Sequence, residues 1–273
     1  PTTYGKLGSI NCTNGSATYN QQYNRIEVSS INDYSSCNLN YTDSASKVNL
    51  ATYITGLAGS TQGTGQVVNE NGYRYEGKNP NNYIWYNKEL YRIIGKTPVC
   101  TAVNTDGTCK TWNNNGLVKI IRNDSIGGLV YNADTTSSST WVGSTIQENL
   151  NNCFLDHRNN SDCAAYCYSY YSGSYKPVAK CEYTQNGIAS SGDYYNMIYD
   201  GVYWNIGVSG STSITGKTQY DKEKTSQTST TLKIGLMYAS DYGYATVGGT
   251  TTNKSSCRAK ELYNWDDSSY SDC

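Results

Sequence analysis

Hydrophobic positions in this chain come in short runs rather than long periodic stretches. Between Tyr73 and Arg122 the runs Tyr73-Arg74-Tyr75, Tyr83-Ile84-Trp85-Tyr86, Leu90-Tyr91-Arg92-Ile93-Ile94 and Leu117-Val118-Lys119-Ile120-Ile121-Arg122 are divided by Asn, Gly, Lys and Pro. Aromatic and β-branched runs with such punctuation predict strands joined by tight turns. In the third run Leu90, Arg92 and Ile94 fall on one face of a strand and Tyr91 and Ile93 on the other. Both faces are apolar, which predicts a central strand. Asp106-Gly107 between two runs predicts a hairpin, and Asn113 to Gly116 predicts a second reversal. Leu232 to Met237 reads as a further strand, followed by a turn over Ser240 to Tyr244. The expected sheet core is Ile84, Trp85, Ile93, Ile94, Val118, Ile120 and Leu236.

Two segments have helical spacing instead. Asp43 or Ser44 as N-cap precedes Val48, Leu50, Ala51, Ile54 and Leu57, which predicts a helix over about 44–57, ended by Gly56 and Gly59. Ile146, Leu150 and Phe154 predict a second over about 145–154, with capping-box spacing at either Thr145/Glu148 or Ser144/Gln147. Residues 1–42 are polar and read as irregular. Residues 59–72 are rich in Gly, Thr, Gln and Asn and read as a connector. This divides the chain into an N-terminal segment, 1–70, and a main β-rich domain, 71–273. The predicted class is α+β and β-rich: twisted antiparallel sheets, two short helices and a framework of disulfides, with a C-type-lectin-like arrangement as one form of it.

Composition sharpens this picture. The 273 residues are 37% hydrophobic, with 28 Tyr and 5 Trp but a single Phe. Tyr offers contact area while keeping a hydroxyl for water or a partner, which suits wet surfaces and thin cores. The formal net charge is -1. Without concentrated Lys and Arg, nucleic acid is not an expected partner. No apolar run reaches membrane-spanning length. No leader pattern is visible, and the initial Pro1 reads as the start of a processed product or a fragment.

The cysteines are even in number, ten, and lack the paired C-x-x-C or Cys/His knuckles of a zinc site. They are read as disulfides in an oxidising, extracellular compartment. Cys100 with Cys109 spans the predicted hairpin; Cys12 with Cys37 and Cys257 with Cys273 are the other local pairs. Among Cys153, Cys163, Cys167 and Cys181 the pairing stays open. No cofactor is expected.

Candidate chemistry is sparse. Trp265-Asp266-Asp267 and Asn79-Pro80-Asn81 resemble the calcium and sugar motifs of C-type lectins, but one has Asp where Asn belongs and the other lacks its carboxylate. His157 near Cys153 and Cys163 makes a poor nucleophile–base pair once the thiols are spent in bridges. Lys119 or Lys233 next to Asn offers the makings of a spontaneous isopeptide crosslink. Tyr168, Tyr170, Tyr171, Tyr203 and Trp204 are the candidate ligand-binding residues, as a platform on which sugar rings stack. The sequons at Asn11, Asn14, Asn40, Asn123, Asn159 and Asn253 indicate surface exposure. No residue stands out as catalytic, and an enzyme is not expected.

Four stretches together resemble one family: Asn71 to Tyr83 with Leu90 to Gly95, Val118 to Gly127, Ile234 to Ala245, and Leu262 to Cys273. They resemble the extracellular domains of uncharacterised cell-surface proteins of gut Firmicutes (pilin-associated, DUF6273-like), many of which carry a prepilin-like N-terminal segment. The resemblance covers about residues 45–273, and the prepilin stem is absent. It implies a secreted or cell-surface structural protein, an adhesin or a subunit of a pilus-like filament that self-associates. The alternative is a module that binds host or bacterial glycans through Tyr and Trp surfaces.

Overall fold

The computed structural model describes residues 6–20, 25–30, 35–42, 49–126, 129, 131–132, 141–155, 168–171, 174–177, 187–190, 192–204, 214–225, 230–261 and 273. Its centre is a six-stranded antiparallel sheet that curls into a half-barrel. The sheet contains β5 (Thr61–Gln62), β6 (Gly65–Asn69), β7 (Tyr73–Gly77), β8 (Tyr83–Tyr86), β9 (Glu89–Val103) and β10 (Cys109–Arg122). Strand β9 is central, pairing with β10, β7 and β8. It is the run whose two faces are both apolar.

Turn chemistry sets the order of these strands. Asn87 and Lys88, both with positive φ (49° and 61°), join β8 to β9 in a two-residue loop, the backbone twist that suits a hairpin. Asp106 accepts from Thr108 N at 2.9 Å, and Gly107 takes φ 83°, closing β9 onto β10. The disulfide Cys100–Cys109 ties those legs together.

The expected reversal at Asn113 to Gly116 is instead a bulge inside a continuous β10. Asn113 faces Val99 and Leu117 faces Thr97, so three residues of β10 lie opposite Pro98 alone. Pro98 has no N–H for the ladder, and the strand loops out around it. A second irregularity lies in β9. Lys119 faces Gly95 and Ile120 faces Ile93, so Ile94 is the extra residue. Ile93 and Gly95, two apart in sequence, therefore face opposite sides of the sheet.

One face carries the apolar core: Val67, Tyr75, Ile84, Tyr86, Tyr91 and Ile93 are buried, with Val118 and Ile120 packed against them. Helix α1 (Leu50–Gly56) adds Ile54. Helix α2 (Thr145–Glu148) and the π-helical turn that continues it (Asn149–Phe154) add Leu150, Cys153 and Phe154. The helix at 145–154 is thus present, and Ser144 with Gln147 is the pair that caps it. Helix α1 is shorter than expected and its cap is Asn49; Asp43 and Ser44 lie outside the described residues. Of the expected core, Trp85 is misplaced: it is 64% exposed, because alternation along β8 turns Ile84 and Tyr86 inward instead. Ile94 and Leu236 are part-buried.

Several polar stretches are more ordered than their composition implies. Residues 59–72, expected as a connector, hold β5 and β6 of the main sheet, with Val67 fully buried. Within 1–42, expected to be irregular, β1 (Lys6–Thr13) pairs with β4 (Ser36–Thr42), and β2 (Ser16–Asn20) pairs with β3 (Arg25–Ser29). Cys12 and Cys37 sit opposite each other and are bridged. Strands β11 (Tyr168–Tyr171) and β12 (Ser174–Pro177) form a hairpin.

Among the described residues there are four further helical segments: α3 (Asp193–Asn196), α4 (Gly216–Thr225), α5 (Ala239–Gly243) and α6 (Lys254–Arg258). Helix α4 lies within the Ser/Thr/Gly-rich 208–230, and α5 replaces the turn expected at Ser240 to Tyr244. The third disulfide joins Cys257 of α6 to Cys273. These disulfides fit an oxidising compartment. Among the described residues no helix is long and apolar enough to cross a membrane.

Candidate functional site

The second face of the sheet bears charge. On β7 the side chains alternate, so Tyr75 enters the apolar core while Arg74 and Glu76, 7% and 0% exposed, point the other way. Burying ions this deeply requires partners. Glu76 receives Lys254 and Arg258 of α6, and Arg258 also makes a two-pronged pair with Glu70 at 2.8 and 2.6 Å. That hydrogen bonding holds Glu70 below the usual carboxylate range. The Arg258 guanidinium lies 4.0 Å from the Tyr244 ring centre, and Tyr244 stacks on Tyr220 of α4.

Beside this clamp, Arg74, Gly95 and Lys119 form one row across β7, β9 and β10. Gly95 is the bare centre of that row. A Cβ there would lie 2.2 Å from the Tyr73 carbonyl oxygen. Asp241 of α5 descends between the two cations: its carboxylate accepts from Arg74 at 3.4 Å, from Lys119, and from the Tyr238 backbone N–H at 3.0 Å. The Lys119 and Asp241 side chains are 15% and 2% exposed. The Lys119 ammonium sits 3.7 Å from the Tyr238 ring centre and 5.5 Å from that of Trp204. Glu223 of α4 hydrogen-bonds the Ser240 hydroxyl next door. Burial pushes its carboxyl up to about 7, with Asp241 adding to the rise and Lys119 opposing it.

This cluster floors a cleft of about 810 Å³. Every residue from Leu117 to Arg122 lines it, and so does every residue from Lys233 to Tyr238. Side chains of a strand alternate between its faces. A cleft that meets six successive residues therefore runs along the edge of β10, not over one face. Among the described residues β10 is terminal in the sheet order, with a neighbour on one side only.

The opposite wall, Leu232 to Met237, is the stretch expected to be a strand. Among the described residues it joins no sheet: beside it Thr231 bridges Tyr203, and the Leu232 N–H donates to the Val202 carbonyl at 3.1 Å. Side chains occupy its backbone instead. Asn151 bonds both the N–H and the carbonyl of Ile234 at 3.1 Å, and Trp204 Nε1 donates to the Leu232 carbonyl at 2.9 Å.

Of the candidate ligand-binding residues, Tyr203 and Trp204 line this cleft. Trp204 is fixed within its wall: Gly235 lies against its indole, where a Cβ would come within 2.3 Å, and Tyr238 meets it edge-on. Tyr168, Tyr170 and Tyr171 lie in β11, away from Tyr203 and Trp204 in sequence and in a separate sheet. Met197, Tyr199 and Met237 also line the cleft and are 46–49% exposed; Tyr199 belongs to the Tyr/Trp cluster with Tyr203 and Trp204 from which a sugar platform is expected, whereas neither methionine is marked by the sequence as a binding residue. Trp265-Asp266-Asp267, His157, Cys163, Cys167 and Cys181 lie outside the described residues, while Cys153 is disulfide-bonded. Among the described residues no group of three His, Cys, Asp or Glu side chains is placed to hold a metal ion. No protein-family model matches this sequence, and no curated protein or solved structure is significantly similar to it.

Proposed function

We propose that the chain is an extracellular structural subunit, secreted or held at a cell surface, that assembles with further copies of itself through the open edge of β10. One observation carries the reading. The regular, β-branched segment Leu117–Arg122 ends the sheet with a cleft along its free side, and the far wall of that cleft is an extended segment without a ladder. An unpaired edge is a template for another strand, and an added strand gains main-chain hydrogen bonds while its alternate side chains fill the space beside it. The usual protection by charge is missing here, because Lys119 and Arg122 turn back onto Asp241 and Glu89. The occupant is an extended segment of a second copy, which fits a filament subunit or an adhesin built from repeated units.

Sedimentation velocity across a wide concentration range, with hydrogen exchange on the same samples, tests the reading. Association is expected to grow with concentration and to slow exchange at the outward amides of Leu117 to Arg122. Ile121→Asp, which leaves the packed Val118 and Ile120 in place, is expected to give a folded monomer. A wild-type chain that stays monomeric throughout, or assembles with those amides still exchanging freely, overturns it.

A second reading, a glycan-binding module, is favoured by Tyr199 and Tyr203, which present aromatic surface to the same cleft. A glycan array followed by calorimetry tests it, with binding lost in Tyr203→Ala. Absence of any competable sugar binding rejects it.

A further inference from the structure

We propose that Lys119 and Asp241 become joined by an amide bond, formed by the protein itself, with Glu223 carrying the protons. The inference is independent of self-association and rests on the buried cluster under the cleft. Three features support it. First, the amine and the carboxyl belong to elements distant in sequence, β10 and α5, yet are in direct contact and nearly sealed from solvent. The amine nitrogen therefore already lies against the carboxyl group that it would attack. Second, Lys119 lies against the faces of Tyr238 and Trp204, which hold its amine at the carboxyl group. Third, a buried carboxyl, Glu223, hydrogen-bonds Ser240, the residue next to Asp241 in the chain, and its pKa is raised to about 7 by burial, with the charges of Asp241 and Lys119 felt there. An acid held in its neutral form by an apolar site is the usual proton carrier of such reactions.

The step balances without any co-reactant. A proton passes from the Lys119 ammonium to the Asp241 carboxylate, leaving a neutral pair. Lys119 Nζ then attacks Asp241 Cγ, and the C–N bond forms as the C–O bond to one carboxyl oxygen breaks. Glu223 takes a proton from the attacking nitrogen and delivers one to the departing oxygen, which leaves as water. Nothing is oxidised or reduced. Arg74, 3.4 Å from the other carboxyl oxygen, faces the oxygen that bears negative charge in the tetrahedral intermediate, where a cation stabilises it.

The same molecule holds an internal contrast. Lys254 also meets a buried carboxylate, Glu76, but the neighbouring carboxyl, Glu70, is held ionised by Arg258. It has no proton to give, so that pair stays a salt bridge. One water, not two, is therefore lost from the chain.

Mass spectrometry of the reduced and alkylated full chain tests this. The expected intact mass is lighter by one water than the sequence requires. Trypsin is expected to leave Lys119 uncut and to release residues 111–122 joined to residues 234–254. Lys119→Arg, which keeps the charge, and Glu223→Ala are expected to give full-mass chains, with circular dichroism confirming their fold. Asp241→Asn is expected to link with loss of ammonia and so to reach the mass of the linked wild-type chain. An unmodified wild-type mass with Lys119 cleaved overturns the proposal. So does a linked Glu223→Ala chain formed at an undiminished rate, which removes Glu223 from its role.

Discussion

At the scale of single residues, the second face of the sheet turns on how acids are kept. Glu76, fully buried, is met by two cations, whereas Glu223 is met by a hydroxyl and has its pKa raised from 4.5 to about 7. The folded chain therefore binds the Glu223 proton more tightly than the unfolded chain does. Its contribution to stability is greatest below about 4.5 and is lost as pH rises through about 7. Thermal melts between those limits are expected to show a decline that Glu223→Gln flattens, by roughly 2–3 kcal/mol across the window. Little of this was legible beforehand. Glu223 sits in a Ser/Thr/Lys-rich stretch, and nothing in its neighbours along the chain marks it for burial beneath Asp241.

At the scale of elements, local rules did well where the partner is also local. Asp106-Gly107, the bridged pair Cys100 and Cys109, and the capped helix at Ser144 are each settled by residues a few positions apart. Replacing Cys100 and Cys109 together by Ser is expected to cost about 2–3 kcal/mol in denaturant unfolding, the loop-closure value for a bridge of this span. Local rules failed where a distant group changed the meaning of a pattern. Asn113 to Gly116 has the composition of a reversal, but its neighbour across the ladder is Pro98, and the result is a bulge. Leu232 to Met237 has the composition of a strand, but Asn151 and Trp204 take its backbone groups. Trp85 is apolar enough for the core, yet the register of β8 turns it outward.

At the scale of the whole molecule, the two parts of the chain differ in what supports them. The body from α1 onward has a shared core, whereas β1 to β4 form two two-stranded sheets, of which the β1–β4 pair carries the Cys12–Cys37 bridge. Two strands alone are marginally stable in water. Limited proteolysis under reducing conditions is therefore expected to remove the N-terminal 42 residues before the sheet core is cut, and mass spectrometry of the first fragments checks this.

By itself the sequence determined the class of fold, the oxidising compartment and the turns, because turn residues, cysteine spacing and side-chain alternation act over a few positions of the chain. The tertiary structure alone decided which polar residues are buried, which strand ends the sheet among the described residues and which distant charges meet. Those outcomes depend on what lies across a gap in space. Lys119 and Asp241, separated by 122 positions, meet only once α5 is laid against the charged face of the sheet.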